Sequence, residues 1–246
     1  MANIIIQYYK ELFTSANPRF PEEVLLTIET RVSAQMNEKL SADYKAWEVH
    51  EAVKQMALLK APNSDGMPPI FSQYLWPLVG DEVTATILQF LNTAMFPCHL
   101  NHTFISLIPK VKNPELVSEF RPIRLCNVLY KIFSKVLANR LKKVLPTLII
   151  EHQSAFTKSR LISDNILVAF ESLHSMQKHK SKKEGYMAVK LDMSKVYDRV
   201  ERSFLEAVMR RMGFMERWIQ LMMVGVKIVS YSILVNGEPK GMIKPT

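Results

Sequence analysis

Asp192, Tyr197 and Asp198 stand close together in the run KLDMSKVYDRV (190–200), and they are the residues of this chain whose types and spacing suggest chemistry. A carboxylate at the end of a strand, beside a turn, is held rigidly enough to serve a hard cation such as Mg²⁺, which takes oxygen ligands. Nucleotidyl transfer by two metals needs several carboxylates around ions about 3.5–4 Å apart. The acids that follow, Glu201, Glu206, Glu216 and Glu238, stand singly, so the run offers no adjacent acidic pair beyond Asp198. Taken alone, Asp192 fits a cap or a surface position as well as a metal ligand. His99, His102, His152, His174 and His179 show no HExxH or CxxC-type spacing and carry no metal role. Cys98 and Cys126 are too few for a disulfide scaffold or a four-cysteine zinc site, and a reducing compartment follows as the default.

The electrostatic setting is basic. Across 246 residues, 32 Lys+Arg against 23 Asp+Glu leave a net charge of +9, while 48% hydrophobic residues mark an ordinary globular chain rather than a disordered or fibrous one. Such a balance favours a polyanionic partner. Lys131, Lys135, Arg140, Lys142 and Lys143 line one face of a predicted helix, and KHKSKKEG (178–185) is lysine-rich. Each reads either as solvated surface or as a contact for phosphate. The most apolar run, LMMVGVKIV (221–229), is short and broken by Lys227, so no segment spans a bilayer. MANIIIQYYKELF lacks the form of a signal peptide, which makes the expected location intracellular, nuclear or cytoplasmic.

The elements that must position these residues follow from periodicity. Residues 1–40 read as helical with a break at NPRFP (17–21), and a helix over 44–59 places Trp47, Ala52, Val53, Met56 and Leu59 near one face. KAPNSDGMPP (60–69) ends it. A helix over 81–95 buries Val83, Ile87, Leu88 and Leu91, TFISLIPK (103–110) suits a strand, and 129–145 has the apolar spacing of an amphipathic helix. A helix over 164–177, capped by Asp164, buries Ile166, Leu167, Phe170 and Leu173. YMAVKLD (186–192) reads as a strand with Ala188, Lys190 and Asp192 on one face. Ser203 and Glu206 form a capping box for a helix that Gly213 stops, and IVSYSILV, Asn236-Gly237 and the segment from Lys240 read as a hairpin. The class is α+β.

KLDMSKVYDRV is joined, in order, by KAPNSDG (60–66), NHTFISLIPKVKNP (101–114), FRPIRLCNVLYKIFSKVLANRL (120–141) and QSAFTKSRLISDNILVAFE (153–171). Together these blocks resemble the reverse transcriptase of LINE-type non-LTR retrotransposons, in wording like the plant branch. Several long motifs in the right order are far more specific than one short pattern. The resemblance implies the fingers and first part of the palm of a right-hand polymerase: a helical leader (1–43), a fingers-like region (44–185) and a partial palm (186–246). It also implies an RNA template, a DNA primer and deoxynucleotides as partners, and Mg²⁺ as cofactor. Asp192 would bind the metal, with the main-chain carbonyl of Met193 as a lesser ligand. Tyr197 would lie under the incoming sugar and exclude a 2′-hydroxyl. Arg121 would contact the triphosphate with its fork of donors, and Arg160 the nucleotide or template.

The departures from the family pattern are specific. Asn63-Ser64 stand where Gly-Pro is usual, Arg124 where Ser is usual, Lys158-Ser159 where Pro-Gly is usual, Val196 for a small Ala, and Arg202 for Trp. They read as drift in a degenerating copy. The chain also stops at KGMIKPT, before the family's Gly-Leu-Arg-Gln-Gly-Asp-Pro block, its paired aspartates and its thumb. The expectation is therefore a truncated RNA-directed DNA polymerase, inactive as this chain. A non-catalytic RNA/DNA-binding module, or a pseudogene product, is the alternative.

Overall fold

Prolines, caps and left-handed residues set where the helices begin and end in the computed structural model, which describes residues 2–18, 22–150, 152–154, 157, 160–178, 186–192 and 195–246. The leading segment forms α1 (Ala2–Leu12), α2 (Glu22–Leu26) and α3 (Ala34–Ser41), the last capped by the Ser33 hydroxyl, which accepts from the Met36 N–H. Then come α4 (Ala46–Lys54), α5 (Pro69–Tyr74) and α6 (Trp76–Thr93); α5 and α6 each carry proline in the first turn, where its missing N–H costs nothing. A 3-10 turn (Cys98–Asn101) leads into β1 (His102–Pro109) and β2 (Phe120–Leu125). After these come α7 (Val128–Leu148), α8 (Ile162–Lys178), the single turn α9 (Val196–Arg199), α10 (Arg202–Arg211) and α11 (Glu216–Lys227). β3 (Ser230–Val235) and β4 (Glu238–Ile243) close the order.

The α+β class is as expected, and the sheet order is β2-β1-β3-β4. β1 pairs antiparallel with β2 and parallel with β3, His102 lying opposite Ser230. β3 and β4 form the expected hairpin through Asn236 (φ 53) and Gly237 (φ 83), a turn that requires two positive φ values; β4 opens at Glu238 rather than Lys240. α1 covers the sheet, Tyr9 and Phe13 packing with Ile105, Tyr231, Ile233 and Ile243. Gly241 (φ 65) permits that approach, because a Cβ there would meet Ile6 at 3.0 Å. The end of the chain is tied to the same helix: the Thr246 N–H donates to the Phe13 carbonyl at 3.1 Å, and the Ser15 N–H to Thr246 Oγ1 at 2.9 Å.

A second core is helical. α7 buries Ile132, Phe133, Val136 and Leu137 at the predicted spacing, together with Val144, against Val49 and Val53 of α4, Ile87 and Leu91 of α6, and Trp218, Ile219 and Leu221 of α11. Val32 and Leu40 from the leading segment and Met209 from α10 join the same cluster. This core therefore crosses the expected boundaries near residues 43 and 185.

Four local expectations are corrected. α4 is shorter than 44–59 and turns Trp47 to solvent, since Val49, Ala52 and Val53 already occupy its buried face. α8 forms but begins at Ile162, so Asp164 lies inside its first turn, accepting from the Leu161 N–H instead of serving as the N-cap, and Ile166, Leu167, Phe170 and Leu173 are exposed. Periodicity shows that a helix face is apolar but cannot supply the element that would cover it. Residues 186–192 take no regular structure and are exposed: a strand needs a paired neighbour, and the sheet edges are β2 and β4. Ser203 lies inside α10, which starts at Arg202, so the capping box is lost; Glu206 instead pairs with Arg210 at 2.6 Å and Lys227 at 2.5 Å. Gly213 (φ 91) does stop the helix.

Candidate functional site

The loop at 60–66 holds the other blocks in register. Asn63 is buried; its Nδ2 donates to the His102 carbonyl at 2.6 Å and to Asn127 Oδ1 at 2.7 Å, while its Oδ1 accepts from the Phe104 N–H at 3.0 Å. Asn127 Nδ2 in turn donates to the Leu100 carbonyl at 3.0 Å. Asp65 Oδ2 accepts from the Val128 N–H at 2.7 Å, placing a carboxylate on the N-terminus of α7, where orphan donors and the helix dipole favour it. Three of the resembling blocks thus meet in one hydrogen-bonded junction, and Asn63, read from sequence as drift, is fully employed there.

Beside the junction opens a cleft of about 230 Å³, lined among others by Thr103, Arg124, Tyr197, Asp198, Arg202 and Tyr231. Arg124 of β2 pairs with Asp198 of α9 and lies over the rings of Phe13 at 5.7 Å and Tyr231 at 5.4 Å. The Asp198 side chain is only 8% exposed. Burial alone would lower the pKa of the Arg124 guanidinium, but the Tyr231 and Asp198 contacts hold it above its usual value. Burial pushes the Tyr130 phenol at the same cleft up to about 12. Arg202, the other cationic departure, donates to the Pro245 carbonyl at 2.8 Å. Both arginines have structural partners, and nothing in the motif pattern pointed to the Arg124–Asp198 pair, because its members are 74 residues apart.

The remaining predicted residues separate. Asp192 is exposed and has no hydrogen bond or ion pair among the described residues; Met193 lies outside them. Tyr197 stands on α9 at the cleft, 73% exposed. Arg121 lies on the edge strand β2, opposite Ile108, with its side chain in solvent. Arg160 is taken up by the end of α7: it donates to the carbonyls of Ile150 at 2.6 Å, Gln153 at 2.8 Å, Pro146 at 3.4 Å and Ile149 at 3.5 Å. A fork of donors at a helix C-terminus satisfies carbonyls that the helix leaves free. The geometry gives Arg160 partners at the end of α7. Of the lysine-rich run, residues 179–185 lie outside the described residues, as do Lys158 and Ser159.

His102 staples β1 to the hairpin beneath this junction. Its Nδ1 is 2.8 Å from Ser230 Oγ and its Nε2 is 3.2 Å from Ser232 Oγ. Because the Ser232 hydroxyl donates to the Gly241 carbonyl at 2.6 Å, Nε2–H is the donor to Ser232, and in the neutral ring Nδ1 accepts from the Ser230 hydroxyl. Burial holds its pKa below the usual 6.5. The unfolded chain then binds more protons at mildly acid pH, so the His102 contribution is complete above about pH 6.5 and is lost as pH falls through the lower folded value. The melting temperature should fall between about pH 7 and pH 5 more steeply in the native protein than in His102→Gln, followed by circular dichroism. Parallel slopes would remove this role.

The comparison with known families bears directly on these blocks. Residues 108–244, more than half of the chain, match the family model "Reverse transcriptase (RNA-dependent DNA polymerase)". The chain belongs to the reverse transcriptase family. It is also 28% identical, over 84% of its length, to the transposon TX1 uncharacterized 149 kDa protein of Xenopus laevis. It is 26% identical, over 90% of its length, to the probable RNA-directed DNA polymerase from transposon BS of Drosophila melanogaster. It spans 16% and 25%, respectively, of these relatives. The resemblance to the reverse transcriptases of non-LTR retrotransposons stands on these matches.

Reverse transcriptases use divalent metal ions, and the described residues can be tested against that need. A hard cation takes about six oxygen ligands, several of them carboxylates in a two-metal centre. Among the described residues no three His, Cys, Asp or Glu side chains gather, Asp192 stands apart, and Asp198 is committed to Arg124. These residues do not by themselves fit a two-metal centre. Among the described residues no helix is long and apolar enough to cross a membrane.

Proposed function

We propose that this reverse transcriptase chain supplies the fingers (44–185) and first palm segment (186–246) of an RNA-directed DNA polymerase, with 1–43 as a helical leader, and that it does not polymerise by itself. The observation that supports this is the state of the two neighbouring carboxylates. Asp192 is exposed and unpaired among the described residues, whereas Asp198 is buried against Arg124. One available carboxylate gives a Mg²⁺ ion a single protein ligand, and nucleotidyl transfer needs several. In this reading Asp192 would be one metal ligand of a complete polymerase and the Met193 main chain a lesser one, Tyr197 would use the ring it presents at the cleft to exclude a 2′-hydroxyl, and Arg121 would contact the triphosphate. The partners are an RNA template, a DNA primer and deoxynucleotides.

The test is primer extension by the purified chain on a primed RNA template with Mg²⁺ and the four deoxynucleotides. No extended product is expected even with protein in excess over template. Extension that Asp192→Ala abolishes would overturn the inactive reading.

A second reading, a nucleic-acid-binding module that works without catalysis, draws support from the +9 charge and the exposed Lys142 and Lys143 on α7. It requires affinity for RNA or DNA that falls steeply with salt, as phosphate contacts dictate. Binding that is absent, or indifferent to salt, removes it.

A further inference from the structure

The surface where α4 crosses α7 carries a feature that neither the cleft nor the junction uses. Trp47, in the first turn of α4, is 59% exposed, whereas Trp218 is fully buried. An indole left in water forgoes the large stabilisation that burial of an aromatic side chain brings. Two open grooves, of about 610 and 630 Å³, flank it and share Trp47, Glu48, Arg140 and Lys143 in their walls. The Lys143 ammonium sits over the indole, 5.6 Å from its centre. Lys39 and Lys45 line one groove and Lys142 the other, against Asp43 and Glu51. The Arg140–Glu48 charges are already balanced internally, at 2.8 Å, so the lysines outnumber the uncommitted acids.

The same ion pair makes the platform rigid. Glu48 is the residue after Trp47 on α4, and Arg140 precedes Lys143 by three positions on α7, which places them as neighbours on the helix surface. The Glu48–Arg140 pair therefore joins the backbones of α4 and α7 at the point from which Trp47 and Lys143 project.

We propose that Trp47, with Lys143, Lys142, Lys39 and Lys45 around it, is a binding platform for single-stranded nucleic acid. A base stacks on the indole while the lysines contact the flanking phosphates. Proteins that hold single strands without reading sequence combine these two elements, an aromatic face and a basic groove. An unpaired strand is the fitting occupant because a duplex has its bases already stacked and offers the indole only backbone. The proposal rests on the reading that this chain binds nucleic acid, and it assigns that binding to a surface on the far side of α4 from the buried Val49, Ala52 and Val53.

The experiment is a titration of the full chain with oligo(U) and oligo(dT) 15-mers, following tryptophan emission and, separately, anisotropy of a labelled oligonucleotide. Both strands should quench the emission. Trp47→Leu should abolish the quenching and weaken binding roughly tenfold, with Trp47→Phe recovering part of the affinity. Circular dichroism should show both variants folded, as expected for an exposed position. Lys142→Gln combined with Lys143→Gln should lower the slope of log K against log salt by about 1.4, the loss of two phosphate contacts to a single strand. If Trp47→Leu binds as tightly as the native chain, or a blunt duplex binds and quenches as well as the single strands, the platform is wrong while nucleic-acid binding by the family surface stands. If the native chain binds no oligonucleotide at all, both fall.

Discussion

Replacing Arg140 by leucine lowers the unfolding free energy by about 3–5 kcal/mol, because it strands a buried carboxylate. Arg140 lies on the helix face predicted to be basic and solvated, but its side chain is only 7% exposed and that of Glu48 only 10%. The guanidinium donates from Nε and Nη2 to the two Glu48 oxygens at 2.8 Å, to the carbonyls of Leu40 and Asp43 at 2.9 Å and to that of Ala42, and it stacks 3.6 Å over the Tyr44 ring. Every donor direction is used, so loss of this one side chain leaves a charge and three carbonyls without their partner. Replacing both members, Glu48→Leu with Arg140→Leu, removes the uncompensated charge and should cost much less than the sum of the single changes. Burial alone would raise the Glu48 carboxyl, but the Arg140 hydrogen bonds, the Lys45 N–H and nearby positive charge outweigh it and hold the pKa below 4.5. That contribution is therefore present above about pH 4.5 and lost as pH falls through the folded value. Urea unfolding of the native, single and double variants checks both statements; a loss in the double variant equal to the sum of the two single losses would refute the coupling.

Trp218→Ala should cost about 3–5 kcal/mol as well, by a different mechanism, since it empties a cavity at the centre of the helical core. Trp218 is fully buried on α11 among residues of α4, α6 and α7, and its indole N–H has no hydrogen-bond partner among the described residues. Trp218→Phe keeps most of the volume and drops that unpaired donor, so its loss should be well under half of the alanine value. Calorimetric or urea unfolding would show the difference. Similar losses for the two variants would mean that a phenyl ring recovers none of the packing of the indole and would refute the volume argument.

The two residues show where sequence reading works and where it stops. α7 was legible because seven apolar positions recur at helical spacing, and the Asn236-Gly237 turn because only a few residue pairs accept two positive φ values. The reverse transcriptase resemblance was legible for a third reason, the order of its motif blocks. Arg140 was not, because periodicity assigns a residue to a face by its neighbours in the chain, and the Glu48 that makes burial of a cation favourable is 92 positions away. The partners of Asn63 and Arg124 were illegible on the same ground, since Asn127 and Asp198 are distant in the chain. The carbonyls at the end of α7 that hold Arg160 were equally illegible, since no local pattern links a loop arginine to a preceding helix end.

What the amino-acid sequence determined by itself is the local and the familial: helix and turn positions, the basic charge, the class, and a family whose motifs are long enough to be specific. Tertiary structure decided everything that depends on a partner distant in the chain. It made the parallel joint of β1 and β3, buried Arg140 and closed Asp198 against Arg124, and it left α8 and residues 186–192 uncovered. The physical reason is common to all of these. Backbone propensity and amphipathic spacing act over a few residues, whereas the free energy of a buried charge, a paired strand or an apolar face depends on the group brought against it, and only the folded chain specifies that group.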